Sequence, residues 1–179
     1  RFVGEPIAIV VAEDRYTAAD GVQAVVVDYE VLPVMTTIAS ATAPDAMPLH
    51  AAHGSNVATV VPMLDDLERE MDRCDMRAHL HLVNQRCVAV PIEPVACVAD
   101  WTASGLTLWA TFQAPHHLRN YLATFLDMPQ SRCRVIAPDV GGGFGPKIVW
   151  YPEYFVAPLL SKWLRCPVKF AQTRSESMV

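Results

Sequence analysis

The chain has 179 residues, 52% of them hydrophobic, and a formal net charge of −5. That supplies enough apolar side chain for one ordinary domain or two small ones, while the scattered Lys and Arg form no basic stripe for a phosphate backbone, which argues against a nucleic-acid partner. No apolar run approaches the roughly 20 residues that span a bilayer.

The first predicted element is a strand over residues 6–12, P-I-A-I-V-V-A, β-branched and apolar. Asp14 follows as a natural N-cap for a helix that Gly21 should close. A second strand, A-V-V-V-D-Y-E-V-L-P, ends at Pro33, so the chain opens as strand, helix, strand. There is no initiator Met at Arg1, and the first residues already lead into a strand, so a piece of a longer protein is expected. Residues 39–75 are expected to connect two domains, since residues 34–62 are rich in Ala, Thr, Pro and Ser without a sustained period. Within it, L-D-D-L-E-R-E-M has helical spacing.

The alternation of R-A-H-L-H-L-V-N-Q-R-C-V-A-V predicts a long half-buried strand. His79 and His81 would share a face, which two ligands alone do not make into a metal site. Further strands are expected at Val95 to Ala99 and Leu106 to Phe112, then a helix from Pro115 to Leu126 with proline at its entry. A strand at Arg132 to Pro138, a helix from Tyr151 to Leu164 that Pro158 should kink or break, and a strand at Pro167 to Ala171 complete the pattern. Cys74, Cys87, Cys97, Cys133 and Cys166 include no C-x-x-C pair, which suggests reduced, mostly buried thiols in a cytoplasmic protein. Cys87 and Cys97 lie in strand-like stretches, where cysteine acts as a small hydrophobe.

The chemistry concentrates in V-G-G-G-F-G-P-K, Val140 to Lys147, immediately after a predicted strand. Four glycines in five positions let a backbone approach a ligand and leave N–H groups to cradle it, although a purely structural turn would read the same way. Pro146-Lys147-Ile148 lacks the Gly-Lys-Ser/Thr ending of a phosphate-binding loop, and Pro146 falls where a dinucleotide fingerprint needs its third glycine. Phe144 among the glycines suits a flat ring system. Gln113, at a strand end before the Pro115 helix, can donate to an oxo group without adding charge, or can be an ordinary satisfied terminus. His116 and His117 follow it and suit capping or solvent as well as a pocket.

R-F-V-G-E-P with V-D-Y-E-V-L-P, then V-N-Q-R-C-V-A-V-P-I-E-P, L-T-L-W-A-T-F-Q-A-P-H and V-I-A-P-D-V-G-G-G-F-G-P-K resemble, in order, the molybdenum-binding subunits of the xanthine dehydrogenase, aldehyde oxidase and aerobic carbon monoxide dehydrogenase family. The resemblance implies an α+β (mixed α/β) fold. Residues 1–38 would end a hammerhead domain, 39–75 a linker, and 76–179 would begin a molybdopterin-binding domain. It further implies oxidation of an aldehyde, an N-heterocycle or CO at a molybdenum–molybdopterin cofactor, in the cytosine dinucleotide form. Electrons would pass to a [2Fe-2S] subunit and an FAD subunit of a hetero-oligomer.

By the same resemblance Gln113 contacts an oxo ligand of the metal, without ligating the metal itself, and Gly142, Gly143, Phe144 and Gly145 form the cofactor loop. The family's catalytic Glu falls beyond Val179, so no catalytic residue is expected within these residues and the chain alone should not turn over. Ile148 stands where purine-oxidising members carry a substrate-binding Glu, and Pro146 and Pro158 each remove a backbone N–H. A cofactor-free binding or assembly module of the same fold is the alternative.

Overall fold

The computed structural model describes residues 2–62 and 67–178, in two compact units divided between Asn84 and Gln85. In the first unit, helix α1 (Arg15–Gln23) starts where Asp14 accepts from the backbone N–H groups of Tyr16 and Thr17, at 2.8 and 3.0 Å. These bonds satisfy N–H donors that a helix start leaves unpaired. The helix runs through Gly21 instead of ending there. A side chain at Gly21 would meet Val10 Cγ1 at 2.7 Å, so this glycine admits a neighbouring segment. Short helices α2 (Ile38–Ala41) and α3 (Leu67–Asp72) follow. The acidic stretch expected to be helical overlaps α3, and its residues 64–66 lie outside the described residues.

The three strands expected in this half do not form among the described residues. Residues 6–12, 24–33 and 77–90 belong to no ladder, and Ile7, Val26, Val31, Leu80 and Leu82 are exposed. Alternation specifies which face of a strand would be buried, but a strand also needs a partner for its N–H and C=O groups. Cys87, expected in a strand interior, is accordingly exposed. The segment between α2 and α3 is more organised than its composition suggests. Asn56 Oδ1 accepts from Leu49 N–H at 2.6 Å, while its Nδ2 donates to the carbonyls of Ala41 and Met47 at 3.0 and 3.1 Å.

The second unit is built on one mixed sheet, in the order β3-β2-β1-β4. Strands β1 (Ala96–Thr102) and β2 (Gly105–Ala110) form an antiparallel hairpin. Helix α4 (Pro115–Phe125) then leads to β3 (Cys133–Ile136), which pairs parallel to β2. Helix α5 (Glu153–Leu164) leads to β4 (Val168–Ala171), antiparallel to β1. Each element falls within a few residues of its sequence expectation, because here hydrophobic period and sheet partners agree.

The register explains the core. Val168 stands opposite Ala99, Ala99 opposite Leu108, and Leu108 opposite Val135, so one row of apolar side chains crosses all four strands on one face. Leu118, Leu122 and Ala123 of α4 and Tyr154, Ala157 and Pro158 of α5 close over that face. Fully buried Leu106, Leu108, Leu118 and Leu122 each contribute about 2 kcal/mol of hydrophobic stabilisation.

Of the kink or break expected at Pro158, the break does not occur: α5 is continuous from Glu153 to Leu164 and the proline ring is fully buried. The ring's burial offsets the hydrogen bond that it cannot make to the helix. Two thiols are buried, Cys97 and Cys133, and three are exposed, Cys74, Cys87 and Cys166, so the expectation of mostly buried cysteines fails. Burial, reinforced by the nearby charge of Glu153, pushes the Cys97 thiol up to about 12, which makes it a packing group and not a nucleophile.

Candidate functional site

The parallel pairing of β2 and β3 brings the C-terminal ends of both strands to one edge of the sheet. In α/β folds this is the edge where ligands bind, because successive chain segments leave the sheet there together. Thr111 to Gln113 leaves β2 on this edge, and residues 137–147 leave β3. The segment preceding β1 lies there as well, since Thr111 N–H donates to Ala96 O at 3.0 Å and Glu93 N–H donates to Gly141 O at 3.2 Å.

The glycine loop and Gln113, 27 or more residues apart in sequence, are in direct contact. A Cβ on Gly143 would fall 2.5 Å from Gln113 Cδ and 2.6 Å from its Cγ, so only glycine lets the loop pass this close. Gly145 N–H donates to Gln113 Oε1 at 3.0 Å, and Gln113 N–H donates to Lys147 O at 2.9 Å. Because the Gly145 N–H is a donor, the amide oxygen must face the loop. The Nε2 group, with two donors, is thereby turned away from it.

Phe144 holds a left-handed backbone, φ 56°, which is unusual for an aromatic residue, and its ring is 75% exposed. Strain of this kind persists where the surrounding structure over-determines it, and it clusters at ligand sites. Gly142 and Gly145 have φ of 91° and 101°, and a Cβ on Gly145 would meet nothing within 4 Å. Pro146 opens a short 3-10 turn, Pro146–Ile148, at the position where an N–H would have no partner within the turn. Its missing donor therefore costs the loop nothing internally. His116 and His117 lie exposed in the first turn of α4, whose N-cap Ala114 makes no side-chain capping bond.

Two residues that the sequence does not single out hold the loop. Glu93 Oε2 accepts from Gly141 N–H at 2.7 Å and from Lys147 Nζ at 2.7 Å. The Lys147 side chain is 1% exposed and that of Glu93 33%. Their one sequence signal is a carboxylate between two prolines in P-I-E-P and a lysine one residue past the glycines; their separation of 54 positions leaves no periodic trace.

Partial burial pushes the Glu93 carboxyl up, but the Lys147 hydrogen bond, the Gly141 N–H and the lysine charge outweigh it and hold the group below the usual carboxylate range. A depressed carboxyl stabilises the fold above its unfolded value, and that contribution is lost as pH falls through the lower, folded value. The midpoint of thermal unfolding of Glu93→Gln is therefore expected to lie below that of the parent at pH 7. The gap should close as both proteins are taken below the carboxylate range. A gap that widens in acid contradicts this sign.

A glycine loop strapped to a strand-end amide at the open edge of a parallel strand pair is an arrangement suited to cradling a ligand, on a mixed α/β domain and distinct in sequence from the two common nucleotide loops. The chain belongs to the molybdopterin cofactor-binding domain family, whose model matches residues 49–179. It is accordingly related to the large, molybdenum-binding subunits of the molybdenum hydroxylases. It is 35% identical to the carbon monoxide dehydrogenase large chain of Afipia carboxidovorans over 99% of its own length and 24% of that protein's. To the nicotine 6-hydroxylase large subunit of Paenarthrobacter nicotinovorans it is 33% identical, over its whole length and 22% of the relative. To a putative xanthine dehydrogenase molybdenum-binding subunit of Escherichia coli it is 36% identical over 98% of itself and 23% of the relative.

Among solved structures, the Cu,Mo-CO dehydrogenase matches with a TM-score of 0.82 at 33% identity, over 93% of this chain and 23% of that one. The quinoline 2-oxidoreductase of Pseudomonas putida 86 matches with 0.82 at 32% identity, over 94% and 22%. The chain thus spans about a quarter of the length of the relatives it matches. Among the described residues, no helix is long and apolar enough to cross a membrane.

Proposed function

We propose that this chain supplies the glycine-loop side of the cofactor site in a molybdenum hydroxylase large subunit. The observation that carries the reading is the Gln113 amide, whose oxygen is occupied by Gly145 N–H so that its donors point away from the loop. The residues present fit the group. Gln113 Nε2 offers neutral donors to an oxo ligand of the metal, and the Gly142, Gly143, Phe144 and Gly145 backbone, open at Gly145, together with the exposed Phe144 ring, offers contacts to the pterin. When bound, the cofactor supplies two-electron oxidation of a small organic substrate or CO. The chain's own contribution is to orient, since a neutral amide polarises an oxygen without adding a competing charge.

The finer reading rests on the resemblance of the sequence motifs. Residues 1–38 end a hammerhead domain, 39–75 link, and 76–179 begin the molybdopterin-binding domain. The cofactor is the cytosine dinucleotide form, and electrons leave to iron–sulfur and FAD subunits of a hetero-oligomer in the cytoplasm. The substrate is CO, an aldehyde or an N-heterocycle other than a purine, since Ile148 puts an apolar side chain where purine oxidisers carry a carboxylate.

Metal and pterin analysis of the full-length protein, expressed in a host that makes the cofactor, tests this. About one molybdenum and one pterin per large subunit are expected, with dye reduction by one of the three substrate classes. Protein that is folded but devoid of both overturns the reading in favour of a cofactor-free binding module.

A further inference from the structure

Glu93 sits between Pro91 and Pro94 in the segment entering β1, outside the glycine loop, yet it is bonded to both of the loop's ends. Its Oε2 takes the Gly141 N–H at the loop's entry and the Lys147 ammonium at its exit, each at 2.7 Å, and its own N–H returns to Gly141 O at 3.2 Å. Lys147 is anchored twice as well: its side chain reaches Glu93, while its carbonyl accepts from Gln113 N–H at 2.9 Å. A Cβ on Gly141 would lie 2.6 Å from Glu93 Cβ, so the two segments are as close as glycine permits.

The electrostatics favour a fixed arrangement. A lysine ammonium removed from water is stable only beside its counter-charge, so it cannot exchange partners as a surface lysine does. The carboxylate, with one oxygen engaged by two donors, is equally constrained. Flexible backbone with four glycines would otherwise sample many conformations, at an entropic cost on ligand binding.

We propose that Glu93 is a positioning residue for the cofactor loop: one carboxylate oxygen ties Gly141 to Lys147, closing the loop so that Gly145 N–H orients the Gln113 amide. The inference rests on the reading of Gln113 and the loop as the cofactor's contacts. Glu93 acts through its bonds to Gly141 and Lys147.

The test uses the full-length protein with Glu93→Gln and, separately, Lys147→Met. Glu93→Gln keeps the shape and an acceptor for Gly141 but removes the charge that Lys147 needs. Hydrogen exchange is followed for peptides covering residues 139–149 and 96–110, in cofactor-free and cofactor-loaded protein, alongside molybdenum content. Loop amides are expected to exchange about tenfold faster in either variant, well beyond the smaller loss of protection that lower global stability imposes on the β1–β2 amides, and molybdenum occupancy falls by about tenfold. The double variant, which removes both charges together, loosens the loop by less than the two single effects combined.

Unchanged loop exchange in both single variants of a molybdenum-loaded protein overturns the positioning role alone. Equal loss of protection in β1 and β2 also overturns it, since that marks a general stability role. A parent protein that carries no molybdenum overturns instead the reading of the site on which the inference rests.

Discussion

If Gln113 and the glycine loop contact the cofactor as proposed, Gly143→Ala in the full-length protein is expected to lower cofactor occupancy and turnover by about 10- to 100-fold while leaving the fold intact. The added methyl would lie 2.5 Å from Gln113 Cδ, 2.6 Å from Cγ and 2.7 Å from Oε1, well inside contact distance. Gln113 cannot retreat as a whole, because its backbone N–H is bonded to Lys147 O and Phe112 ahead of it is buried. Only its side chain can move, and it moves by giving up the Gly145 N–H. The amide then loses the one bond that fixes which end faces the cofactor, and misplacement of a positioning group by an ångström is enough for a loss of this size. Stability should hardly change, since the displaced group is an exposed side chain. The path through Gln113 can be checked by a cycle. Gln113→Ala should lower molybdenum content and turnover comparably, and the double variant should be no worse than either single. Native molybdenum content and turnover in Gly143→Ala would sink the argument. Additive losses in the double variant would show that the two residues act separately.

What the sequence makes legible divides at the middle of the chain for a physical reason. From Ala96 onward, each predicted element forms because a stretch with the right period finds its partner within the same stretch of chain: β1 finds β2 across a two-residue turn and β4 past α5. Residues 6–12, 24–33 and 77–90 carry equally good β-forming composition but find no ladder among the described residues, and composition cannot reveal that. Local rules fail again at Pro158, where propensity calls for a break and burial in the core wins. At the candidate site, residue types were readable one by one: glycines that permit close approach, and an amide at a strand end. Their contact follows only from the parallel register of β2 and β3. The Glu93–Lys147 tie is a further step removed, since two opposite charges far apart in sequence carry no mark of being paired until the sheet has formed.

Gly105→Ala is expected to destabilise the protein by about 3 kcal/mol or more. Gly105 opens β2 directly after the tight turn from β1, pairing with Thr102, and its φ of +139° is a conformation that side chains rarely adopt. The larger obstacle is steric. A methyl here would lie 2.1 Å from the carbonyl oxygen of Arg132 and 3.0 Å from its carbonyl carbon, and these are backbone atoms that cannot rotate away. Arg132 immediately precedes β3, and its guanidinium is bonded back to the same turn through Ala103 O at 2.7 Å. Relief therefore requires parting β2 from β3 at the Leu106–Cys133 pair, where both side chains are buried. The cost should thus spread along the parallel ladder to the opposite edge, where the same two strands release Gln113 and the glycine loop. Chemical denaturation of Gly105→Ala should show the loss of stability, and hydrogen exchange should place it in β2 and β3 more than in β4. A variant within about 1 kcal/mol of the parent would mean that the turn relaxes independently of the ladder. In that case the parallel pair is a less rigid support for the site than its register implies.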